Sequence, residues 1–304
     1  MGRRNWFLLG LLASFWGASY LFIKLGLEDL SPAMVVFART ALAAGVLFAV
    51  AGRLGALRGV RGRLRPIAVL AIVQVAGPFL LIAAGERHIS SSLAGILVAS
   101  APIFTALLAI WVYQAERSHG FSLAGVVIGM VGVAVLLGVD AGSGTAAILG
   151  GLMVVLAGFG YAVGGLYLKR RLSELQPAGV GAATMAISAL VTLPLALASA
   201  PDAMPGAGAI AAVGALGVVG TGIAFWIFYT LISTVGPAKA SIVAYIAPGF
   251  AVIYGVTLLG ESFTVGTAAG LALIVGGSWL AAEGRLPRRR RKAAAGAVPD
   301  AVSG

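Results

Sequence analysis

The chain has 304 residues, of which 60% are hydrophobic and only 10% are charged. A soluble domain typically carries about 25% charged residues, so a soluble fold of this length would leave much apolar surface in water, whereas lipid makes the composition reasonable. Cysteine is absent, which excludes disulfides and thiol catalysis, and the two histidines, His88 and His119, make a metal site improbable. We therefore predict a protein of the lipid bilayer, without a metal or another cofactor.

Ten apolar runs of about 20 residues, the length that a helix needs to cross a bilayer, follow one another along the chain. The predicted spans are 6–24, 32–51, 66–85, 92–113, 122–139, 147–168, 178–198, 208–232, 238–259 and 264–283. The first run is longer than a typical signal-peptide core and lacks a small-residue cleavage site, so we interpret it as a span. The connections are short, and the pattern predicts an all-α polytopic membrane protein.

The net charge of +11 lies mainly in short blocks between the apolar runs. If the N-terminus is cytoplasmic, only Lys24 and Arg87 of the 21 basic residues lie outside, Arg39 lies within a span, and the remaining 18 are cytoplasmic. This bias predicts a multi-pass protein of the inner (plasma) membrane with both termini in the cytoplasm. A nucleic-acid-binding protein would show basic residues among aromatics on one surface, so no nucleic-acid partner is expected.

The segment 286–304 is rich in arginine and then in alanine, glycine and proline. It has no hydrophobic face, and we predict a disordered cytoplasmic tail whose basic part lies near anionic headgroups. A role in binding a partner is the alternative.

The sequence also contains an internal repeat. Residues 101–104 (APIF) are echoed by 247–250 (APGF) at an offset of 146, and Trp16, Pro32 and Glu116 align with Tyr161, Pro177 and Glu261 at an offset of 145. The predicted units are 1–140 and 141–285, with five helices each. Because five is odd, the second unit runs through the membrane in the opposite direction, which gives an inverted repeat, an architecture that recurs in secondary transporters.

Several motifs occur along the chain: residues 16–20 (WGASY), Arg39, the paired Ala-Pro positions, residues 236–241 (GPAKAS) and the Gly260-Glu261 corner. Together they resemble the EamA family of the drug/metabolite transporter (DMT) superfamily. The resemblance covers about 1–285 and implies a ten-helix transporter with the first four helices of each repeat around a central cavity. One departure is Ala115 before Glu116, where the family often has Gly-Glu. Family members move amino acids, other metabolites, nucleotide sugars or drugs, and many bacterial members are exporters.

These observations predict a secondary transporter of a small molecule that works by alternating access, with export of amino acids or related amphipathic metabolites as the first choice. A transporter of drugs or nucleotide sugars is the alternative, followed by a channel or a scaffold. A pore ring or filter-like loop is not apparent, and neither is a cluster of acids, histidines and a nucleophile. We therefore predict no catalytic residue and no enzyme activity.

Arg39 is the sharpest candidate for binding the substrate, since it lies about 12 Å into the second span at about 1.5 Å per residue. It either faces a cavity and attracts a carboxylate or phosphate, or it is a structural arginine bonded to helix carbonyls. Lys239 either snorkels to the cytoplasmic interface or points into the same cavity.

The other candidates for substrate binding are aromatic or neutral and polar: Trp16, Ser19, Tyr20, Gln74, Ser100, Tyr161, Trp226 and Tyr245. Aromatic side chains line metabolite pockets because they bury much area with few rotatable bonds. Anchoring at the membrane interface is the competing interpretation for the aromatics, and bonds across helices for the polar residues.

Three further features are candidates for moving or coupling parts. Pro102 and Pro248 each remove a helical hydrogen bond, so they are candidate hinges or passive kinks. Glu86 is the first choice for proton coupling, whereas Glu116 and Glu261 are expected to tie short corners. A small-residue face on the fifth span, formed by Gly125, Gly129 and Gly132, predicts close packing within the chain or in a homodimer.

Overall fold

The computed structural model describes residues 1–112, 120–140 and 144–283. Ten helices in this part of the chain are long and apolar enough to cross a membrane. They are α1 (Arg3–Gly26), α2 (Pro32–Arg53), α3 (Val60–Gly85), α4 (Ser91–Ala109), α5 (Phe121–Gly138), α6 (Thr145–Arg171), α7 (Pro177–Ala198), α8 (Ala207–Val235), α9 (Pro237–Leu259) and α10 (Val265–Ala282). The all-α fold with two inverted five-helix repeats is confirmed, whereas Glu116 and the tail 286–304 lie outside the described residues.

Two spans contain a wide helical turn that the sequence did not predict. A π-helical segment covers Ala71–Ala76 in α3 and another covers Val218–Ile223 in α8, at an offset of 147. Such a turn leaves carbonyls without their usual partners, and hydroxyls fill the gaps. Ser188 on α7 donates to the Ala71 carbonyl at 3.1 Å, and Thr221 donates to the Leu216 carbonyl at 2.8 Å.

Two other spans are interrupted near the candidate hinge prolines. α4 breaks between Val98 and Ala101, so Pro102 lies in the first turn of the second segment, where its missing N–H is tolerated. α9 breaks earlier, between Ala240 and Val243, and Pro248 lies inside the continuous helix that follows. The two prolines therefore occupy different positions relative to the interruptions, and their role as hinges stays a prediction.

Helices from the two repeats are interleaved, because α1 packs along α9, α2 along α7, α3 along α6 and α5 along α10. The predicted glycine face of α5 is used inside the chain. A Cβ at Gly132 would lie 2.8 Å from the Leu273 Cβ, and one at Gly125 would lie 2.7 Å from the Gly277 carbonyl oxygen. These glycines therefore permit the close approach of α5 and α10.

The two ends of the bundle differ in charge, and we name them by this difference. The basic face holds the start of α1, the α2–α3 connection and the end of α6, with its Lys169, Arg170 and Arg171. The distal face holds the ends of α1 and α3 and the α9–α10 corner. An ion pair joins Arg63 to Glu174 at 2.7 Å on the basic face, and since both side chains are about half exposed it adds little stability.

Candidate functional site

Arg39 lies at the centre of the candidate site, buried between the two repeats. Its side chain is 6% exposed, and its Nε donates a hydrogen bond to the Thr221 hydroxyl at 2.8 Å. Its guanidinium carbon lies 3.6 Å from the centre of the Phe79 ring, a cation–π contact. The Nε bond thus goes to a side chain of the other repeat and not to a helix carbonyl.

The hydrogen bond of the Arg39 guanidinium to a described residue is made by Nε and not by the two Nη groups. Its Nη groups make no hydrogen bond to the described residues, while Tyr20, Tyr161 and Glu86 interact with it electrostatically. The Thr221 hydroxyl accepts from Nε and donates its own proton to the Leu216 carbonyl. Arg39 is therefore fixed at one edge, and the edge that suits a carboxylate or phosphate is unused.

Aromatic side chains of α1 and α8 form a cluster near the middle of the bundle. The Trp16 ring lies 5.9 Å from the Phe225 ring and 5.2 Å from the Phe228 ring, between ring centres, and Phe225 lies 5.8 Å from Tyr229. Ser19 joins the same two helices, since its hydroxyl lies 3.0 Å from the Phe15 carbonyl and 3.4 Å from the Gly220 carbonyl.

Other predicted site residues are placed differently. Ser100 is buried, but its hydroxyl donates to the Leu97 carbonyl of its own helix at 2.7 Å. Trp226 is 47% exposed and contributes no ring contact within the described residues, and Lys239 is exposed at the start of α9. Gln74 and Tyr245 are half-buried.

Gln74 lies in the π segment of α3 and packs against Gly164, where a Cβ would lie 2.8 Å from the Gln74 Cγ. In the other repeat, Gly220 packs in the same way against Ser19. The two contacts are related by the repeat, so small residues allow α1 to approach α8 and α6 to approach α3.

Two charged side chains hold the distal face closed. Lys24, near the end of α1, donates to the Glu86 carbonyl at 2.6 Å and to the Ile89 carbonyl at 2.9 Å. Glu261, in the α9–α10 corner, accepts from the backbone N–H groups of Ser91 and Ser92 at 2.7 and 2.9 Å, and from the Ser92 hydroxyl. A carboxylate at a helix N-terminus is favourable, so Glu261 ties this corner to α4.

Glu86 is the first residue after α3 and is 0% exposed. Both of its carboxyl oxygens lack a hydrogen-bond partner within the described residues. Burial raises the pKa of this carboxyl well above its usual value, the nearby charge of Glu261 raises it further, and Lys24 and Arg39 lower it. The neutral form is therefore favoured in this conformation.

The two ends of the α4–α9 contact are in opposite states. On the distal side, Gly95 of α4 packs against Ala251 of α9, and Gly255 packs against Ser92. The corresponding positions toward the basic face are Ser241, Thr105, Ala238 and Ala109; the first three are exposed and Ala109 is partly buried. The inner segment of α4, which begins at Ala101, packs along α5, α6 and α10 instead. The distal side is closed, and α4 and α9 separate toward the basic face.

Thr221, Phe79 and the α8 aromatics Phe225 and Phe228 were not predicted as site residues. A signal for Thr221 was present, because it is a hydroxyl between Gly220 and Gly222 in an otherwise apolar span. Phe79 gave no signal, since one phenylalanine among many apolar residues is unremarkable until Arg39 lies over it.

Comparison with known proteins agrees with this architecture. A solved crystal structure that is 22% identical superposes with a TM-score of 0.66, covering 92% of this chain and 98% of that chain. An uncharacterized transporter of Archaeoglobus fulgidus is 26% identical over 282 residues, which are 91% of this chain and 98% of that protein.

Two further relatives have more descriptive names. The uncharacterized inner membrane transporter YedA of Escherichia coli is 28% identical, over 82% of this chain and 81% of its own. A protein of Streptantibioticus cattleyicolor described as a "probable terminal-alkyne amino-acid exporter" is 28% identical, over 92% of this chain and 94% of its own.

The family comparison covers both repeats. The model of the EamA-like transporter family matches residues 4–138 and again residues 148–282. The resemblance found in the motifs is confirmed, and the chain belongs to the EamA-like transporter family.

Proposed function

We propose that the protein is a secondary transporter that exports a small amphipathic metabolite with an anionic group, an amino acid being the first choice, by alternating access. The observation that carries this proposal is the buried Arg39, held at Nε by Thr221 and with both Nη groups free of hydrogen bonds to the described residues. Buried guanidinium groups need an anion or several acceptors, and a carboxylate satisfies both Nη groups at once.

The surroundings of Arg39 favour a ligand with an apolar body. Phe79 covers one side of the guanidinium, and Tyr20 and Tyr161 lie within electrostatic range of it. The ring of a tyrosine packs against the apolar part of a ligand, and its hydroxyl can form a hydrogen bond with a polar group of the same ligand. The name of the Streptantibioticus relative, an amino-acid exporter, agrees with a ligand of this kind.

The opposite states of the two ends of α4 and α9 support alternating access. In an inverted repeat, each contact at one face has a counterpart at the other, so exchange of the two arrangements would open the distal side and close the basic side. The positive-inside rule assigns the basic face to the cytoplasm, with both termini there. In this assignment the described conformation is open toward the cytoplasm, the side from which an exporter loads.

Counterflow in liposomes tests the proposal. Vesicles preloaded with unlabelled amino acids should accumulate a labelled amino acid transiently and saturably, without an imposed ion gradient, whereas empty vesicles should not. Saturable counterflow separates a carrier from a channel, in which flux would rise without saturation. A folded preparation that shows no counterflow with amino acids, but does so with nucleotide sugars or drug-like cations, would overturn the proposed substrate class.

A further inference from the structure

We propose that Glu86 is a proton-binding site, and that its occupation by a proton favours the distal-closed conformation while its ionisation favours distal opening. This coupling rests on the alternating-access movement proposed above, and it adds a ligand, the proton, at a position separate from Arg39.

The carboxyl group itself is the first observation. It is 0% exposed, and neither oxygen has a hydrogen-bond partner within the described residues. An ionised carboxylate in such a place would lose its hydration without gaining hydrogen bonds in return, whereas a neutral carboxyl loses far less. The described conformation therefore suits the protonated side chain.

The charged and titratable groups that face Glu86 do not remove this penalty. The ammonium group of Lys24 on α1 is bonded to the backbone carbonyls of Glu86 and Ile89, and Arg39 on α2 bonds to Thr221. Glu261, in the α9–α10 corner, places a like charge nearby, and Tyr20 on α1 interacts with the carboxyl as well. Burial has the largest effect on the pKa, and it raises it.

The position of Glu86 links it to closure. It begins the short connection that Lys24 holds at Glu86 and Ile89, and this connection leads into Ser91 and Ser92, which Glu261 holds. Separation of α4 from α9 at this face moves the connection away from the corner and admits water to the carboxyl. The same movement that opens the distal side therefore hydrates Glu86.

The sign of the linkage follows from the two pKa values. In the open state a hydrated Glu86 would have the pKa of an ordinary exposed glutamate. In the closed state the pKa lies well above that value. The closed state binds more protons, so it is favoured at low pH, and its population falls as pH rises between the two values.

A distance measurement tests the coupling. The chain has no cysteine, so His88→Cys on the α3–α4 connection and Phe263→Cys on the α9–α10 corner can carry spin labels without background. Both positions are exposed, and the first substitution also removes the only histidine of this connection. In reconstituted protein, we expect the fraction of molecules with a longer distance between the two labels, the distal-open fraction, to grow as pH rises. Glu86→Gln should keep the short distance of the distal-closed state at every pH. Glu28→Gln, an exposed carboxylate at the same face, should leave the response intact.

The outcomes separate this proposal from the proposed transport cycle. A pH response that persists in Glu86→Gln would assign the proton elsewhere and overturn the proposal. If a transported amino acid lengthens the distance at fixed pH while pH alone does not, alternating access stands and the Glu86 site is wrong. If neither changes the distance, the movement itself is wrong. Should Glu86→Gln not fold, an infrared band of a protonated carboxyl in the unsubstituted residue must vanish over the same pH range as the closed population.

Discussion

The two repeats share a backbone plan but differ in their chemistry and in the state of their contacts. At the distal face, the Asp29 carboxylate accepts from the Gly206 N–H at 2.8 Å, and at the basic face its repeat partner Glu174 pairs with Arg63. The two repeat-related acids therefore each make a contact, one at each end of the molecule. The α4–α9 contact, in contrast, is made only on the distal side. In the proposed transport cycle, α4 and α9 would therefore be the helices whose separation alternates, whereas α2 packs along α7 in the described conformation.

The two repeats also differ at positions that carry charged residues in the first repeat. Arg39 corresponds to Thr184 at an offset of 145, and the Thr184 hydroxyl donates to the Val180 carbonyl of its own helix. Buried Glu86 corresponds to Leu231, which is also buried but apolar. Under the proposed function both repeats would take part in the movement, whereas the two charged residues proposed to bind a ligand and a proton, Arg39 and Glu86, have uncharged counterparts in the second repeat.

The largest expected effect comes from forcing the missing contact to form. Thr105→Cys with Ser241→Cys places two thiols at positions that correspond to Ala251 and Gly95, which touch on the distal side. We expect oxidation to trap a basic-side-closed state and to abolish counterflow, with reduction restoring it. The single-cysteine variants are the controls, and undiminished flux in a fully cross-linked sample would contradict the comparison.

The second effect sharpens the chemical difference between the repeats. If Arg39 binds the substrate as proposed, Arg39→Ala removes charged hydrogen bonds worth about 1.5–3 kcal/mol, so apparent affinity in counterflow should fall roughly 10- to 100-fold. Arg39→Lys should recover it only in part, because an ammonium group lacks the planar fork. The matched control is Thr184→Ala in the second repeat. If Thr184→Ala lowered the apparent affinity as much as Arg39→Ala does, the proposed role of Arg39 in substrate binding would be wrong.

The third effect concerns packing in the closed contact. A Cβ at Gly95 would press on the Ala251 Cβ and lie 3.2 Å from the Tyr20 ring. Overpacking costs about 1–3 kcal/mol, so Gly95→Ala should increase the distal-open population by roughly 5- to 150-fold. Labelling of Ser91→Cys, a position that is fully buried in the closed state, by an impermeant maleimide measures it. Gly249→Ala, with nothing within 4 Å of its Cβ, should change little.

The smallest effect concerns the corner carboxylate. Glu261→Gln keeps the size of the side chain but weakens its bonds to the Ser91 and Ser92 N–H groups. A loss of about 1 kcal/mol would raise the distal-open population roughly fivefold in the same labelling assay. Glu28→Gln, an exposed carboxylate at the same face, is the control, and slower labelling in Glu261→Gln would show that the bond does not hold the closed state.

The sequence predicted the fold well, because hydropathy, charge bias and the repeat are each read from many residues. The number, order and approximate ends of the spans are confirmed. The start of α3 was missed by six residues, since Val60–Arg63 forms a 3₁₀ turn among arginines that lowers the apolar signal.

The sequence predicted less of the candidate site, because contacts depend on which face of each helix turns inward. Arg39 could be identified from its depth in the second span. Of its two partners, Thr221 on α8 gave only a weak signal, as a hydroxyl between two glycines, and Phe79 on α3 gave none. Trp226 and Phe225 are neighbours in the same apolar run, yet Phe225 packs on Trp16 and Trp226 is exposed. No rule of composition distinguishes these two residues.

The π segments in α3 and α8 have a consequence for how these helices are studied. A wide turn holds one extra residue, so the helical phase slips by about 100° where it occurs. A scan of cysteine accessibility along α3 would follow one stripe before Ala71 and a rotated stripe after Ala76, and α8 would show the same slip across Val218–Ile223. A helical wheel drawn through either segment would assign the residues beyond it to the wrong side.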